Sequence, residues 1–274
     1  MKVLVHGARG SYPTSQEDTL KYGGQTPCVE VAYGEERIIL DAGTGILEVD
    51  ADRISADKRI HILLTHLHMD HILGLGFFRP LFNAENEVHI WGPYSRDAPL
   101  RERINRYLSP PFFPLPLRDI SCKMVLHEIK QSSFTIGDFS IDCEYVVHPG
   151  PTLGFRVTAG GKALTYLPDH EPMLGQEKLP DNRWLSGYNL LLDSDLLIHD
   201  AQYTSEEYEQ RIGWGHSSFQ QACAVAQIGR VKKMLLFHHD PEHSDDFLDA
   251  QVEKMSASAA ISLDIARGGM TYPV

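Results

Sequence analysis

The sequence predicts an α/β protein on three observations. Short runs rich in Val, Ile, Leu and Tyr recur along the chain, turn residues separate most of them, and two segments carry helical periodicity instead. In the first half the strand-like runs are Lys2 to His6, Cys28 to Tyr33, Arg37 to Leu40, Ile60 to Leu64 and Glu87 to Trp91. The second half continues with Val125 to Ile129, Phe139 to Val147, Leu153 to Thr158, Ala163 to Leu167, Leu196 to His199, Lys233 to Phe237 and Ile261 to Ala266. A helix is predicted over Leu100 to Leu108, where Leu100, Ile104, Tyr107 and Leu108 share one face, and another from Ser217, a good starter, to the stop at Gly229.

No Gly/Ser linker, low-complexity tract or repeat interrupts this pattern, so residues 1–274 read as one domain built from two sheet-bearing halves. The exception is a Pro-rich excursion at about 92–118. It gathers Pro93, Pro99, Pro110, Pro111, Pro114 and Pro116 with Phe112 and Phe113, which favours an extended, partly rigid loop around one short helix. It is read either as a packed surface loop or as a lid or subunit contact bordering the pocket of a homodimer.

The chain has 274 residues, 42% hydrophobic and 23% charged, the balance of a soluble globular protein. Lys+Arg 25 against Asp+Glu 37 gives a net charge of −12, which argues against stable binding to duplex nucleic acid or a membrane surface. No run reaches the roughly 18 apolar residues of a membrane span, and Met1 to Gly10 holds no signal-like apolar core, so a cytoplasmic location is expected. Cys28, Cys122, Cys143 and Cys223 lie far apart and form no Cys-x-x-Cys pair, the pattern of buried small hydrophobes. Histidine is the unusual count, at 14.

Much of that excess falls in Thr65-His66-Leu67-His68-Met69-Asp70-His71, just past the run Ile60 to Leu64. His66 and His68 point the same way from an extended segment, while Asp70 and His71 can turn toward a second point about 3.5 Å away, the spacing of a two-metal site. Four ligands cannot complete two ions, so others must come from later strand ends. His148, Asp169 and His238 each follow an apolar run and are suited to this.

With Asp41-Ala-Gly-Thr-Gly45 after an earlier strand, these motifs resemble the metallo-β-lactamase superfamily across essentially the whole chain. The resemblance implies a four-layer αββα sandwich with the metals at one edge of its sheets. It assigns His66, His68 and His148 to one ion, Asp70, His71 and His238 to the other, and Asp169 as the bridge, with Asp41 steadying the ligand loop. His199-Asp200-Ala201-Gln202-Tyr203 and Gly215-His216-Ser217-Ser218 further resemble the His-Glu-Ala-Thr-Phe and His-Ser-Thr segments of ribonuclease Z and related phosphodiesterases, with Asp for Glu at 200 and Gln for Thr at 202. This implies that His216 approaches the scissile phosphate, that Asp200 orients it, and that Asp70 accepts a proton from the nucleophile.

The expected enzyme is therefore a metal-dependent phosphodiesterase with two divalent ions, Zn²⁺ or Mn²⁺ with Fe²⁺ also compatible with such N/O ligands. No glycine- and lysine-rich arm for gripping RNA is evident, and with the net charge this favours a small phosphodiester such as a cyclic nucleotide over tRNA. Two alternatives stand: a lactone or thioester hydrolase of the same superfamily, and a nucleotide-binding protein without catalysis. His6, His61, His89 and His127 lie in strand-like runs and are expected to pack or hydrogen-bond. His170, His239 and His243 are expected either to support the ligands or to occupy exposed loops.

Overall fold

Strand-like runs sort into two facing sheets in the computed structural model, which describes residues 1–50, 58–176, 179, 184–256 and 261–274. The first sheet contains β1 (Lys2–Gly7), β2 (Cys28–Tyr33), β3 (Glu36–Leu40), β4 (Arg59–Leu63), β5 (Glu87–Pro93), β6 (Lys123–Ile129) and β14 (Thr271–Pro273), ordered β14-β1-β2-β3-β4-β5-β6. The second contains β7 (Ser132–Ile136), β8 (Phe139–Tyr145), β9 (Leu153–Ala159), β10 (Lys162–Leu167), β11 (Leu196–Asp200), β12 (Lys233–Phe237) and β13 (Ser262–Ile265), ordered β13-β12-β11-β10-β9-β8-β7.

Val5, Val31 and Leu40 of the first sheet meet Phe155, Tyr166 and Phe237 of the second in a shared inner core. The outer faces are covered by helices. α1 (Met69–Ile72) and α2 (Leu100–Tyr107) pack Ile72, Leu100 and Ile104 against Ile60, Ile62 and Ile90 of the first sheet. α3 (Tyr188–Leu191), α5 (Phe219–Ile228) and α6 (Asp245–Ser256) lay Leu191, Phe219, Ala222, Val225 and Leu248 on Leu197, Met234 and Leu236 of the second. α4 (Ser205–Glu209) is a short turn held by a capping box between Thr204 and Glu207. The result is the αββα layering that the sequence resemblance implies. Each fully buried Leu or Phe contributes about 1.5–3 kcal/mol.

β3 to β6 run parallel, and so do β10 to β13. Strands buried on both faces read as continuous apolar runs, as β11 and β12 do. Parallel pairing also gathers the carboxyl ends of successive strands on one edge, the general location of sites in such sheets.

The run Phe139 to Val147 ends as a strand at Tyr145, because the Val146 N–H bonds the Thr152 carbonyl and closes the loop that carries His148. β7, β14, α1, α3, α4 and α6 were not anticipated by periodicity. In β7 only Ile136 is buried, as befits an edge strand, and β14 has three residues. The Pro-rich excursion packs through Leu100, Ile104, Leu108, Phe113 and Leu117 onto the outer core of the first sheet.

Candidate metal centre

The segment after β4 enters the site under control of Asp41, at the end of β3. One Asp41 oxygen accepts the Thr65 backbone N–H at 2.8 Å and the other accepts His71 Nδ1–H and the Tyr166 hydroxyl, both at 2.9 Å. The Thr65 hydroxyl donates to the same carboxylate and accepts from His66 Nδ1 at 3.1 Å. Holding Nδ1–H in this way fixes the tautomer and aims Nε2 inward.

The other histidines are steered alike. His148 Nδ1 donates to the Gly215 carbonyl at 2.8 Å, and His238 Nδ1 donates to Gln202 Oε1 at 3.1 Å. Gly215 has φ +88°, and a Cβ there would sit 2.4 Å from His148 Nδ1, so only glycine permits this approach. His238 itself takes the left-handed φ of +60° just past β12, and Asp41 takes +59°, strain of the kind that concentrates at functional sites.

Two ligand groups result. His66, His68 and His148 face Asp169 in one, with His68 Nδ1 3.1 Å from His148 Nε2; Asp70, His71 and His238 form the other. Asp169, at the end of β10, lies between them. Its Oδ2 is 3.7 Å from His66 Nε2 and 3.6 Å from His148 Nε2, while Oδ1 is 2.9 Å from His71 Nε2 and 3.4 Å from His238 Nε2. Each carboxylate oxygen thus addresses one group.

The electrostatics match a cation site. Burial pushes His66 well below the usual imidazole value and His148 down to about 4, leaving lone pairs free for a metal. His68 is lowered for the same reason. Burial also opposes protonation of His71 and His238, but nearby carboxylates, Asp169 foremost, outweigh it; His71 is raised strongly and His238 to about 9. Asp70 and Asp169 resist burial and stay ionised because of His71 and His238. His66 Nε2, His71 Nε2 and Asp169 Oδ1 are buried without hydrogen-bond partners, a costly arrangement that bound cations would satisfy. The donor set of five imidazoles and two carboxylates fits two divalent ions.

His216 stands at the margin, its ring stacked on His238 at 4.8 Å, with Nδ1 donating to Asp200 Oδ2 at 2.7 Å. The shorter Asp side chain reaches because Asp200 also accepts the backbone N–H groups of His170, Gln202 and Ser217, which draw the chain around it. Every residue assigned to the site from the sequence is therefore gathered at this edge.

Sequence reasoning missed several supports. Glu171 is fully buried and accepts from the Tyr208 hydroxyl at 2.7 Å and from Gly213 and Gly215 N–H, clamping the loop that leads to His216. The Ser11 N–H donates to Asp70 Oδ2 at 2.8 Å, and Gln202 and Tyr166 hold His238 and Asp41 as described. Only tertiary structure brings these together; the available signal was Glu171 standing two residues beyond a proposed ligand. His170 hydrogen-bonds His199, His239 the Ala266 carbonyl, and His243 Glu207.

A family model described as beta-lactamase superfamily domain matches residues 36–239. A ribonuclease Z of Thermococcus gammatolerans is 26% identical, over 97% of this chain and 93% of that one. Among solved structures, the metallo-beta-lactamase fold protein YhfI of Bacillus subtilis aligns with TM-score 0.71 and 19% identity, over 99% of this chain and 98% of that one. Human tRNase Z, short form, aligns with TM-score 0.70 and 21% identity, over 100% of this chain and 99% of that one. These structural likenesses show the fold.

One expectation is corrected by these relatives. The sequence favours a small-molecule phosphodiester over tRNA and argues against stable duplex binding, yet similar chains are named for ribonuclease activity on nucleic acid. The physical reason is that net charge sums the whole surface and says little about the few side chains around one cleft. Among the described residues, no helix is long and apolar enough to cross a membrane.

Proposed function

As a member of the beta-lactamase superfamily this chain is a metal-dependent phosphodiester hydrolase, and we propose that its substrate is an RNA strand. In this reading His66, His68 and His148 would hold one divalent cation and Asp70, His71 and His238 the second, with Asp169 available to both groups. Zinc or manganese suits these donors, with iron(II) compatible. When bound, such ions supply Lewis acidity and make hydroxide available near neutral pH.

The protein's own part centres on His216. Asp200 accepts its Nδ1–H at 2.7 Å, which leaves Nε2 to carry the proton that the leaving alkoxide needs. A protonated His216 would also face the charge that accumulates on the phosphoryl oxygens. Asp70, whose Oδ2 lies 3.1 Å from His238 Nε2, would accept a proton from the attacking water. Burial of both carboxylates and of every proposed ligand imidazole except His68 strengthens these contacts.

The observation that carries the reading is the Asp200–His216 pair beside the ligand cluster, a proton donor for a leaving alkoxide that a pure nucleotide binder would not need, and the ribonuclease Z relatives favour RNA over an acyl substrate. The test is to load the full chain with zinc or manganese and offer an RNA with a 3′ extension, a cyclic nucleotide, a lactone and a thioester. Cleavage of the RNA is expected. Hydrolysis confined to the lactone, the thioester or the cyclic nucleotide would overturn it.

A further inference from the structure

Beside the ligand cluster the surface opens into a groove of about 850 Å³ that starts at His66 and His68 and has the Pro-rich excursion as its far wall. A second hollow of about 610 Å³ shares Ser95, Asp97 and Pro151 with it, so the two form one path.

Two features of this path are unusual for an acidic protein. Its first compartment presents aromatic faces to water: Phe112 is 78% exposed and Phe77 60%, with Phe77 set edge-on to Phe113 at 5.8 Å. Soluble proteins seldom leave large apolar groups clustered in a cleft unless they bind something. Its charged lining is also the reverse of the molecule's balance. Arg103 and Arg106 line the first compartment and Arg96 and Lys130 the second, against the single acid Asp97. Arg103 and Arg106 have carboxylate neighbours, Glu128 at 3.4 Å and Glu102 at 3.1 Å. Among the described residues no ion pair engages Arg96 or Lys130, and Lys130 Nζ sits 4.2 Å over the ring of Tyr94.

Exposed aromatic faces followed by unpaired cations are what a flexible polynucleotide strand needs. Unpaired bases stack on the rings, and the cations meet the backbone phosphates. A duplex offers its bases to one another and cannot use the rings. We infer that this groove is the track for single-stranded RNA. A base next to the scissile phosphate stacks on Phe77 and Phe112, and Arg96 and Lys130 hold phosphates of nucleotides farther along. The inference rests on the RNA-cleaving function proposed above and adds which strand geometry the enzyme accepts.

Binding and cleavage are measured separately. Fluorescence anisotropy of a labelled single-stranded RNA decamer gives Kd for the metal-loaded full chain in the slow-turnover His216→Ala background, while gels follow cleavage by the otherwise unaltered enzyme. Phe112→Ala is expected to weaken binding about tenfold, as is one abasic nucleotide in the decamer, with little further loss when both are combined. Arg96→Ala with Lys130→Ala should lower the slope of log K against log salt by about 1.4, roughly 0.7 for each phosphate released from contact. A Kd indifferent to all these changes overturns the groove, even if RNA is cut. RNA bound through these side chains but never cut would leave the groove standing and remove the proposed function.

Discussion

β4 and its continuation contribute histidines to two clusters that differ in nearly every respect except the residue type. Past the strand's end, His66, His68 and His71 join His148 and His238 around Asp70 and Asp169, with the Nε2 atoms of His66 and His71 buried and without hydrogen-bond partners. In mid-strand, His61 begins a half-buried ladder across β4, β5 and β6: it stacks on His89 at 4.6 Å, His89 on His127 at 5.1 Å, and His127 on Trp91 at 3.8 Å. There the ring nitrogens answer one another. His89 meets His127 at 2.8 Å and Glu87 at 3.0 Å, while Trp91 donates to His61 at 3.2 Å. What separates a cation site from a packing motif is the set of buried carboxylates, and the way each imidazole's second nitrogen is occupied, rather than the number of rings.

Replacing the central carboxylate gives the most severe test of that contrast. Asp169→Ala should abolish metal content and lower turnover by more than about a thousandfold; elemental analysis showing both ions retained would break the distinction. His216→Ala comes next, expected to reduce kcat by about 10²- to 10⁴-fold with metal content intact, read by parallel kinetics and metal analysis. Asp41→Asn should weaken metal affinity by about 10- to 100-fold, because one carboxylate oxygen becomes an NH2 donor and either His71 or Thr65 loses its acceptor; a chelator competition curve measures this.

The ladder should respond least. His127→Phe is expected to leave metal content and turnover within about twofold and to change stability by about 1 kcal/mol or less, seen as a small Tm shift. Burial, helped by neighbouring His89, lowers His127 below 6.5, so the folded state prefers the neutral ring. Its contribution is present above that unfolded value and is lost as pH falls through the lower folded value. The variant's Tm should therefore fall less than the parent's on acidification.

The six-residue window His66 to His71 was legible because its chemistry is local: spacing alone sets which side chains can converge. His148, Asp169 and His238 were legible because apolar runs mark strand ends, and parallel strands stack those ends on one edge. Glu171 and Tyr166 were opaque, since each acts on a partner far along the chain and neither sits in a diagnostic pattern, and the His199 to Tyr203 segment marked Gln202 without revealing its hold on the distant His238. β7 was opaque because an edge strand with one buried residue has little apolar signal, and α6 was missed although Phe247, Leu248, Val252 and Met255 carry helical spacing. Arg96 and Lys130 sit where charge summed over the chain could not register them.

His66 and His238 are both assigned to the same centre, and the two sheets each deliver part of it. While a ribosome is still making the chain, everything up to β11 can emerge and begin to collapse, but the cage lacks a wall until residue 238 clears the exit tunnel. Chains that stop short of residue 238 therefore lack one of the seven proposed ligands, and hydrolytic competence would arrive in a single late step of synthesis.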